Sequence, residues 1–220
     1  MSREKYNWLV NNIHDGIFKA VASKYLTGKL IDIGCGIKPY KNILHSYVSA
    51  HIGVDRVDTL HNKSNIDLFG TAYNISVDNS SFDSLICTAV LEHLEEPDLA
   101  IKEAYRVLKL GGYGIYSVPL FWHIHEEPRD FYRFTKYGLK YLFEKNYFEI
   151  VELIPWGGFC VIFGQELIYF LKDLGRKIKN PLFLALLPVL IDFIQRACYI
   201  LYKYDVEEKY VNGYIIVVKK

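Results

Sequence analysis

Apolar positions near the N-terminus recur at helical spacing. These positions are Leu9, Ile13, Ile17 and Val21. Residues four apart share one face of a helix, so the pattern predicts an amphipathic helix from Trp8 to Val21 that packs on a sheet or covers the mouth of a pocket. Gly28 is expected to stop the segment that leaves this helix.

Short apolar runs rich in β-branched residues follow, and they alternate with turn residues and helical patterns. Such runs predict buried strands. The predicted strands cover residues 30–33, 51–55, 65–69, 82–87, 114–118, 147–153 and 213–218. The predicted helices run from Pro39 to Leu44, from Pro97 to Leu110 before Gly111 and Gly112, and onward from a cap at Thr135.

The first predicted strand breaks into Gly34-x-Gly36, and Pro39 follows. Glycine has no Cβ, so the backbone can take positive φ and approach a ligand, and the N–H groups of the following helix start favour its polar part. A dinucleotide-binding loop would carry a third glycine where Pro39 stands, and it would need no acid at Asp32 on the strand. The loop therefore predicts a nucleotide-type cofactor and disfavours a nicotinamide-dependent oxidoreductase.

Later signals occur in a fixed order. Asp55 ends the second strand about 20 residues beyond Gly34, where a βαβ unit delivers a carboxylate to ribose hydroxyls. Phe82-Asp83 opens the fourth strand, and Leu91-Glu92-His93 follows it. With Asp32-x-Gly34-x-Gly36, this order resembles class I S-adenosylmethionine-dependent methyltransferases of the type 11 group, over roughly residues 26–153 and the last strand.

The resemblance implies a fold, a cofactor and a set of binding residues. The fold is a doubly wound, seven-stranded Rossmann-like α/β sheet with an antiparallel last strand and a helical insertion before it. The implied contacts of S-adenosylmethionine are Asp32, Gly34, Cys35 and Gly36 at the methionine half, Asp55 at the ribose, Thr71 and Ala72 at the adenine, and Thr88 on the methyl-donor side. The family often has an acid at the place of Thr71, where this chain has a hydroxyl.

Titratable and aromatic residues crowd the segment after strand five, which resembles a subgroup pattern H-x-x-P-x-D-[FY]-x-R-[FY]-T linked to glycans and lipid-linked metabolites. A histidine that titrates near neutrality can take a proton from a hydroxyl, so the candidate bases are His125, then His123 and His93. The candidate acceptor contacts are Trp122, Glu126, Arg129, Tyr132 and Arg133.

Other interpretations of this segment stay open. The arginines and Asp130 suit a salt-bridge set, and the aromatic residues suit ordinary packing. His123, His125 and Glu126 could bind a metal, but further carboxylate ligands would be needed, so we predict no metal site.

Residues 155–212 separate the last two strands and show helical patterns. Residues 182–201 are nearly all apolar but contain Pro188, Asp192, Gln195 and Arg196. A charge at the centre of a spanning helix costs ~2.5–3.5 kcal/mol, so the segment is expected to cap the substrate site or to lie on a membrane surface, with a membrane-spanning helix as the minor option.

The 220 residues suit one methyltransferase domain. Its expected parts are an N-terminal helix (1–28), a cofactor-binding core (29–154), the insertion (155–212) and the last strand (213–220). A net charge of +1 gives no broad positive electrostatic field that would attract nucleic acid. The four widely spaced cysteines and the absence of a signal-type N-terminus favour a cytoplasmic protein, with peripheral contact at the inner membrane face through 182–201 as an option.

The combined prediction is methyl transfer to a small-molecule, glycan or lipid-linked acceptor, at oxygen. The alternative is a non-catalytic binding protein that keeps the methyltransferase fold and associates with a membrane or a partner. The acceptor and the oligomeric state are not predicted.

Overall fold

The computed structural model describes residues 3–205 and 208–220. The chain forms two compact units. The sheet unit comprises Phe18–Leu120, Ile124–Ile154 and Tyr214–Lys220. The helical unit comprises the N-terminal residues through Ile17, Phe121–His123 and Pro155–Gly213. A single domain for the whole chain stays a prediction.

Seven strands form one sheet. They are β1 (Lys29–Ile33), β2 (Ala50–Asp55), β3 (Leu68–Phe69), β4 (Phe82–Thr88), β5 (Leu108–Pro119), β6 (Glu149–Trp156) and β7 (Gly213–Lys219). Their order is β3-β2-β1-β4-β5-β7-β6, and β1 pairs in parallel with both β2 and β4. The Gly111 N–H, near the start of β5, donates to Lys220 O, just after the end of β7, at 2.8 Å. Because the start of one strand meets the end of the other, β7 runs antiparallel to β5. The predicted fold class is confirmed.

Seven α-helices accompany the sheet in the described residues. They are α1 (Arg3–Tyr6), α2 (Trp8–Tyr25), α3 (Lys41–Leu44), α4 (Pro97–Val107), α5 (Lys136–Lys145), α6 (Phe159–Ile178) and α7 (Pro181–Tyr202). The Thr135 cap is confirmed, because its Oγ1 accepts the Gly138 N–H at 3.2 Å.

Four predicted boundaries differ from the structure, each for a reason that the structure shows. The third strand keeps only Leu68–Phe69, because Asn62 caps a 3₁₀ turn over Lys63–Asn65 instead. α4 ends at Val107, and β5 begins at Leu108 rather than Gly114, since Leu108 is fully buried and pairs with Phe82. β6 begins at Glu149 rather than Tyr147, whose φ of 66° does not fit a strand.

The middle of the sheet is buried on both faces, which explains why its strands are continuous apolar runs. Leu30, Ile31, Leu85, Ile86 and Ile115 are all fully buried. The carboxyl ends of the parallel strands β1, β2 and β4 lie along the same edge of the sheet. Open α/β sheets bind their ligands at this edge.

The helical unit is built around the hairpin of α6 and α7. Asn180 caps α7, because its Oδ1 accepts the N–H groups of Leu182 and Phe183 at 3.0 and 3.1 Å, and Pro181 takes the first helical position. Ile168, Leu187 and Ile191 form its apolar core. Among the described residues, α7 is the one helix whose length and composition would suffice to cross a membrane, and 22% of its most apolar stretch is buried.

Candidate functional site

The glycine loop follows β1. Gly34 and Gly36 have φ of 71° and 50°, a region that side chains other than glycine rarely adopt. A Cβ on Gly34 would lie 2.4 Å from a Val90 methyl, so no larger residue fits. The N–H groups of Gly34 and Cys35 both donate to Val54 O, at 2.9 and 3.1 Å. The loop is thereby fixed against β2.

Asp55 is joined to this loop. One carboxylate oxygen accepts the Gly36 N–H at 2.8 Å, and the other accepts the Arg56 N–H at 2.7 Å. The structure therefore places Asp55, the residue predicted to bind the ribose, against the predicted cofactor loop. The contact with the cofactor itself stays a prediction.

Asp32 is buried, and its Oδ2 lies 2.9 Å from Nε2 of His51. Burial raises the pKa of the Asp32 carboxyl, and the His51 contact opposes that shift. Lys38 lies beside this pair. Its ammonium is ion-paired with Asp67 and donates to His51 O at 2.9 Å. Sequence reasoning missed His51 and Lys38, and these contacts give Asp67 a structural role.

The remaining predicted cofactor residues lie in the same unit. Thr71 forms a bridge with Asn74 in the turn after β3, and Ala72 lies within that turn. Thr88 is the last residue of β4. Cys35 is buried within the glycine loop, and burial raises the pKa of its thiol to about 12, so it stays neutral.

His93 and His125 meet edge to face, with ring centroids 4.6 Å apart. The Nδ1 of His93 lies 2.5 Å from Arg129 O, and its Nε2 lies 3.9 Å from a Glu126 carboxylate oxygen. The Nδ1 of His125 lies 3.4 Å from Asp130 Oδ2, which also accepts the His125 backbone N–H at 2.9 Å. Burial and the neighbouring His93 lower the pKa of His125. We define these two histidines, with Glu92 and Glu126, as the histidine–glutamate cluster.

Glu92 is the member of the cluster that sequence reasoning did not select. It is 1% exposed, and its Oε2 has no hydrogen-bond partner among the described residues. Burial raises the pKa of this carboxyl to about 8. Its backbone oxygen accepts the N–H groups of Phe131 and Tyr132 at 2.8 and 3.2 Å, which ties the segment after β5 to the turn after β4. The Leu91-Glu92-His93 sequence was the signal that could have identified Glu92 as a site residue.

The arginines of the segment are engaged in ion pairs. Arg133 makes two bonds to Asp130, at 2.6 and 2.8 Å, and it holds the pKa of that carboxyl well below its usual range. Arg129 bonds Asp58 at 2.9 Å, and the Tyr132 hydroxyl donates to Glu95 O at 2.9 Å. These contacts match the salt-bridge interpretation, and an additional contact with an acceptor stays a prediction.

Trp122 and His123 belong to the helical unit. Their rings stack at 5.1 Å, and Nδ1 of His123 lies 3.5 Å from Glu166 Oε1. The sheet unit thus brings together two of the three predicted bases, His93 and His125, together with Glu126.

Sequence and fold comparisons agree with this geometry. Residues 31–116, from β1 to the middle of β5, match the family model of a methyltransferase domain. Over these residues the chain is similar to methyltransferase domains. No protein among the curated ones matches the sequence.

Solved structures share the fold at low identity. An S-adenosylmethionine-dependent methyltransferase from Thermotoga maritima is 23% identical, with 68% of this chain and 77% of that chain covered and a TM-score of 0.54. One from Mesorhizobium loti is 12% identical, with 93% and 96% covered and a TM-score of 0.57. A phosphoethanolamine N-methyltransferase from Haemonchus contortus, in complex with S-adenosylmethionine, is 17% identical, with 98% and 56% covered and a TM-score of 0.55. The family match and the shared fold support an S-adenosylmethionine-dependent enzyme.

Proposed function

We propose that this methyltransferase moves a methyl group to a hydroxyl of a small-molecule, glycan or lipid-linked acceptor. The observation that carries the proposal is the continuity between the glycine loop and the histidine–glutamate cluster. A Cβ on Gly36 would meet the His61 ring at 3.3 Å, and the Nε2 of His61 lies 3.8 Å from Glu126. Glu126 in turn faces His93 at 3.9 Å. Proton-accepting groups therefore stand next to the loop that suits the cofactor.

The glycine loop fits S-adenosylmethionine. Gly34 and Gly36 hold the loop at positive φ, and the Gly36 N–H is bonded to a strand-end carboxylate, Asp55. Gly34, Cys35 and Gly36 would hold the methionine half, and Asp55 the ribose. When bound, the cofactor supplies a methyl group that is already activated by its sulfonium.

A hydroxyl acceptor explains the need for the cluster. An alcohol becomes a good nucleophile only when its proton is removed, and a positioned base contributes ~10²–10⁴-fold to such a step. His93, His125 and Glu126 can receive the proton and orient the acceptor oxygen. Trp122, Arg129, Tyr132 and Arg133 remain candidate acceptor contacts.

Product analysis tests the proposal. We expect the purified chain, incubated with methyl-labelled S-adenosylmethionine and cell metabolite and lipid fractions, to produce a labelled methyl ether. Asp55→Ala should weaken cofactor binding in isothermal titration, whereas Asp78→Ala, at a carboxylate outside the glycine loop, should not. If the labelled product carries N-methyl groups only, the acceptor was assigned wrongly.

We also propose a cytoplasmic enzyme that contacts an anionic membrane through α7. Leu182, Val189 and Phe193 are 69%, 69% and 68% exposed, an unusual surface for a protein in water. Exposed Arg176, Lys177 and Lys179 lie at the neighbouring end of α6, and basic residues beside apolar ones favour anionic lipid surfaces.

Vesicle co-sedimentation tests the membrane contact. The chain should pellet with phosphatidylglycerol vesicles more than with neutral ones, and Val189→Glu with Phe193→Glu should abolish this binding. Leu110→Glu is the matched control, because Leu110 is 85% exposed but lies in the sheet unit. Equal binding by all three proteins would overturn the contact. Vesicle binding with no methyl transfer would favour the non-catalytic alternative.

A further inference from the structure

Three side chains of the histidine–glutamate cluster converge on one point. Glu92, His93 and His125 each offer a ligand atom, and these atoms lie within 4.8 Å of one another. Donors bound to one zinc ion at ~2.0–2.2 Å are ~3.5 Å apart, so the three groups would need to close by little more than 1 Å. Two imidazoles and a carboxylate are a ligand set that divalent transition metals favour.

Glu92 gives a second, independent sign of a bound ligand. A carboxylate oxygen without a hydrogen-bond partner is costly in a protein interior, yet Oε2 of Glu92 has none among the described residues, and the residue is 1% exposed. A cation would satisfy this oxygen.

The surroundings of the histidines agree with metal binding. Metal-bound histidines commonly present their second ring nitrogen to a backbone carbonyl or a carboxylate, which fixes the ring. In this structure Nδ1 of His93 lies 2.5 Å from Arg129 O, and Nδ1 of His125 lies 3.4 Å from Asp130 Oδ2. Asp130 is held in turn by two bonds from Arg133. His93 thus has an outer partner of the kind that such ligands have, and the Asp130 carboxylate lies near the His125 ring.

We propose that Glu92, His93 and His125 bind one divalent transition metal ion, which holds the oxygen of the acceptor hydroxyl. This role of the ion rests on the proposed function, with Glu126 as the base and the two histidines orienting the acceptor oxygen through the ion. Three protein ligands leave coordination positions open for an acceptor oxygen, and a bound cation lowers the pKa of a hydroxyl it coordinates. Glu126, 3.9 Å from Nε2 of His93, is placed to take the released proton.

Metal titration tests the site without any assay of methyl transfer. The untagged full chain, stripped with a chelator, should bind one equivalent of Zn²⁺ in isothermal titration. Co²⁺ should give the visible absorption of an ion with nitrogen and oxygen ligands. Bound Zn²⁺ should also raise the melting temperature, because it binds the folded state.

Variants assign the ligands. Two single variants remove one ligand each: Glu92→Gln, which keeps the volume of the side chain, and His125→Ala. Each should lower Zn²⁺ affinity at least tenfold and change the Co²⁺ spectrum. His45→Ala, at an exposed histidine of the sheet unit, should leave affinity unchanged. Affinity for Zn²⁺ that is equal in all four proteins would overturn the site, as would a failure of the wild type to bind it. Should Glu92→Gln fail to fold, His125→Ala and the Co²⁺ spectrum of the wild type decide.

Activity separates this inference from the proposed function. If chelator removes methyl transfer and Zn²⁺ or Mn²⁺ restores it, both stand. Methyl transfer that survives complete removal of metal would overturn the role of the ion and leave the proposed function intact. Metal binding at these ligands without transfer to any hydroxyl would instead count against the proposed function.

Discussion

The glycine loop and the histidine–glutamate cluster are neighbours in one unit, but they satisfy their polar groups differently. Around the loop, both Asp55 oxygens accept backbone N–H groups, and Lys38 lies between Asp67 and His51 O. In the cluster, Glu92 is buried with an unsatisfied oxygen. The difference teaches that the protein itself satisfies both oxygens of the carboxylate at the loop, whereas in the cluster a buried carboxylate oxygen is left for a group that the protein does not supply.

The largest effect on catalysis should follow from a substitution in the histidine–glutamate cluster. His125→Ala is expected to lower kcat by ~10²–10⁴-fold, because a group that removes or holds the acceptor proton contributes about that much. The affinity for S-adenosylmethionine should stay within about twofold, since the glycine loop is untouched. Steady-state kinetics and isothermal titration measure the two quantities.

The matched control is His45→Ala, which should change neither value. A fall in cofactor affinity as large as the fall in kcat would erase the distinction between the two regions. An unchanged kcat would remove His125 from the chemistry.

A substitution in the glycine loop is expected to lower the affinity for the cofactor. Gly34→Ala places a Cβ 2.4 Å from Val90 at a φ of 71°, so it should weaken cofactor binding by ~100-fold or more. Gly111→Ala controls for backbone strain, because φ there is 79° but no atom lies within 4 Å of the added Cβ. Calorimetry should show near-normal cofactor binding for Gly111→Ala. Similar losses in both variants would mean that backbone strain, and not the clash with Val90, explains the effect.

Much of the loop was predictable because its signals are local in sequence. Glycines after an apolar run, and an acid one strand later, follow from the geometry of a βαβ unit. The His51–Asp32 contact was not predictable, since it depends on strand register. Asp32 faces Gly53 across the parallel pair, so His51, two residues earlier, lies on the same face.

The cluster was predictable only in part. His93, His125 and Glu126 were selected as titratable residues near strand ends, but their meeting depends on how the segment after β5 folds back onto Glu92 O. No local sequence pattern predicts that the segment after β5 folds back in this way. The start of β5 was missed for a similar reason, because Leu108 pairs with Phe82 while Gly111 gave the pattern of a helix end.

A smaller effect tests how firmly the loop is supported. Lys38→Met removes the ion pair with Asp67 and the bond to His51 O but keeps an apolar stem. We expect a loss of ~1–3 kcal/mol in the free energy of unfolding, since Lys38 is 7% exposed. Urea denaturation measures it, and Lys41→Met is the control at an exposed lysine. Equal stability of the two variants would show that the loop does not depend on this anchor.

The smallest effect concerns the link between the two regions. Arg129, whose backbone oxygen lies against His93, bonds Asp58 after β2 at 2.9 Å. Hydrogen bonds from Arg129 and then Arg56 lower the pKa of Asp58 to about 2. Asp58→Asn should raise the KM for the acceptor a few-fold at most, because an exposed pair contributes little, and added salt should shrink the difference.

The pH dependence of this link follows from the direction of the shift. A carboxyl whose pKa is lowered in the folded state contributes stability above its unfolded pKa, and the contribution is lost as pH falls through the folded value of about 2. The ratio of wild-type to Asp58→Asn KM should therefore stay constant from about pH 8 down to about pH 4, where a carboxyl of ordinary pKa would be about half protonated. A ratio that changes between about pH 5 and pH 4 would show that Asp58 is not held by the arginines. The glycine loop would then be joined to the cluster through His61, which lies beside Gly36 and 3.8 Å from Glu126.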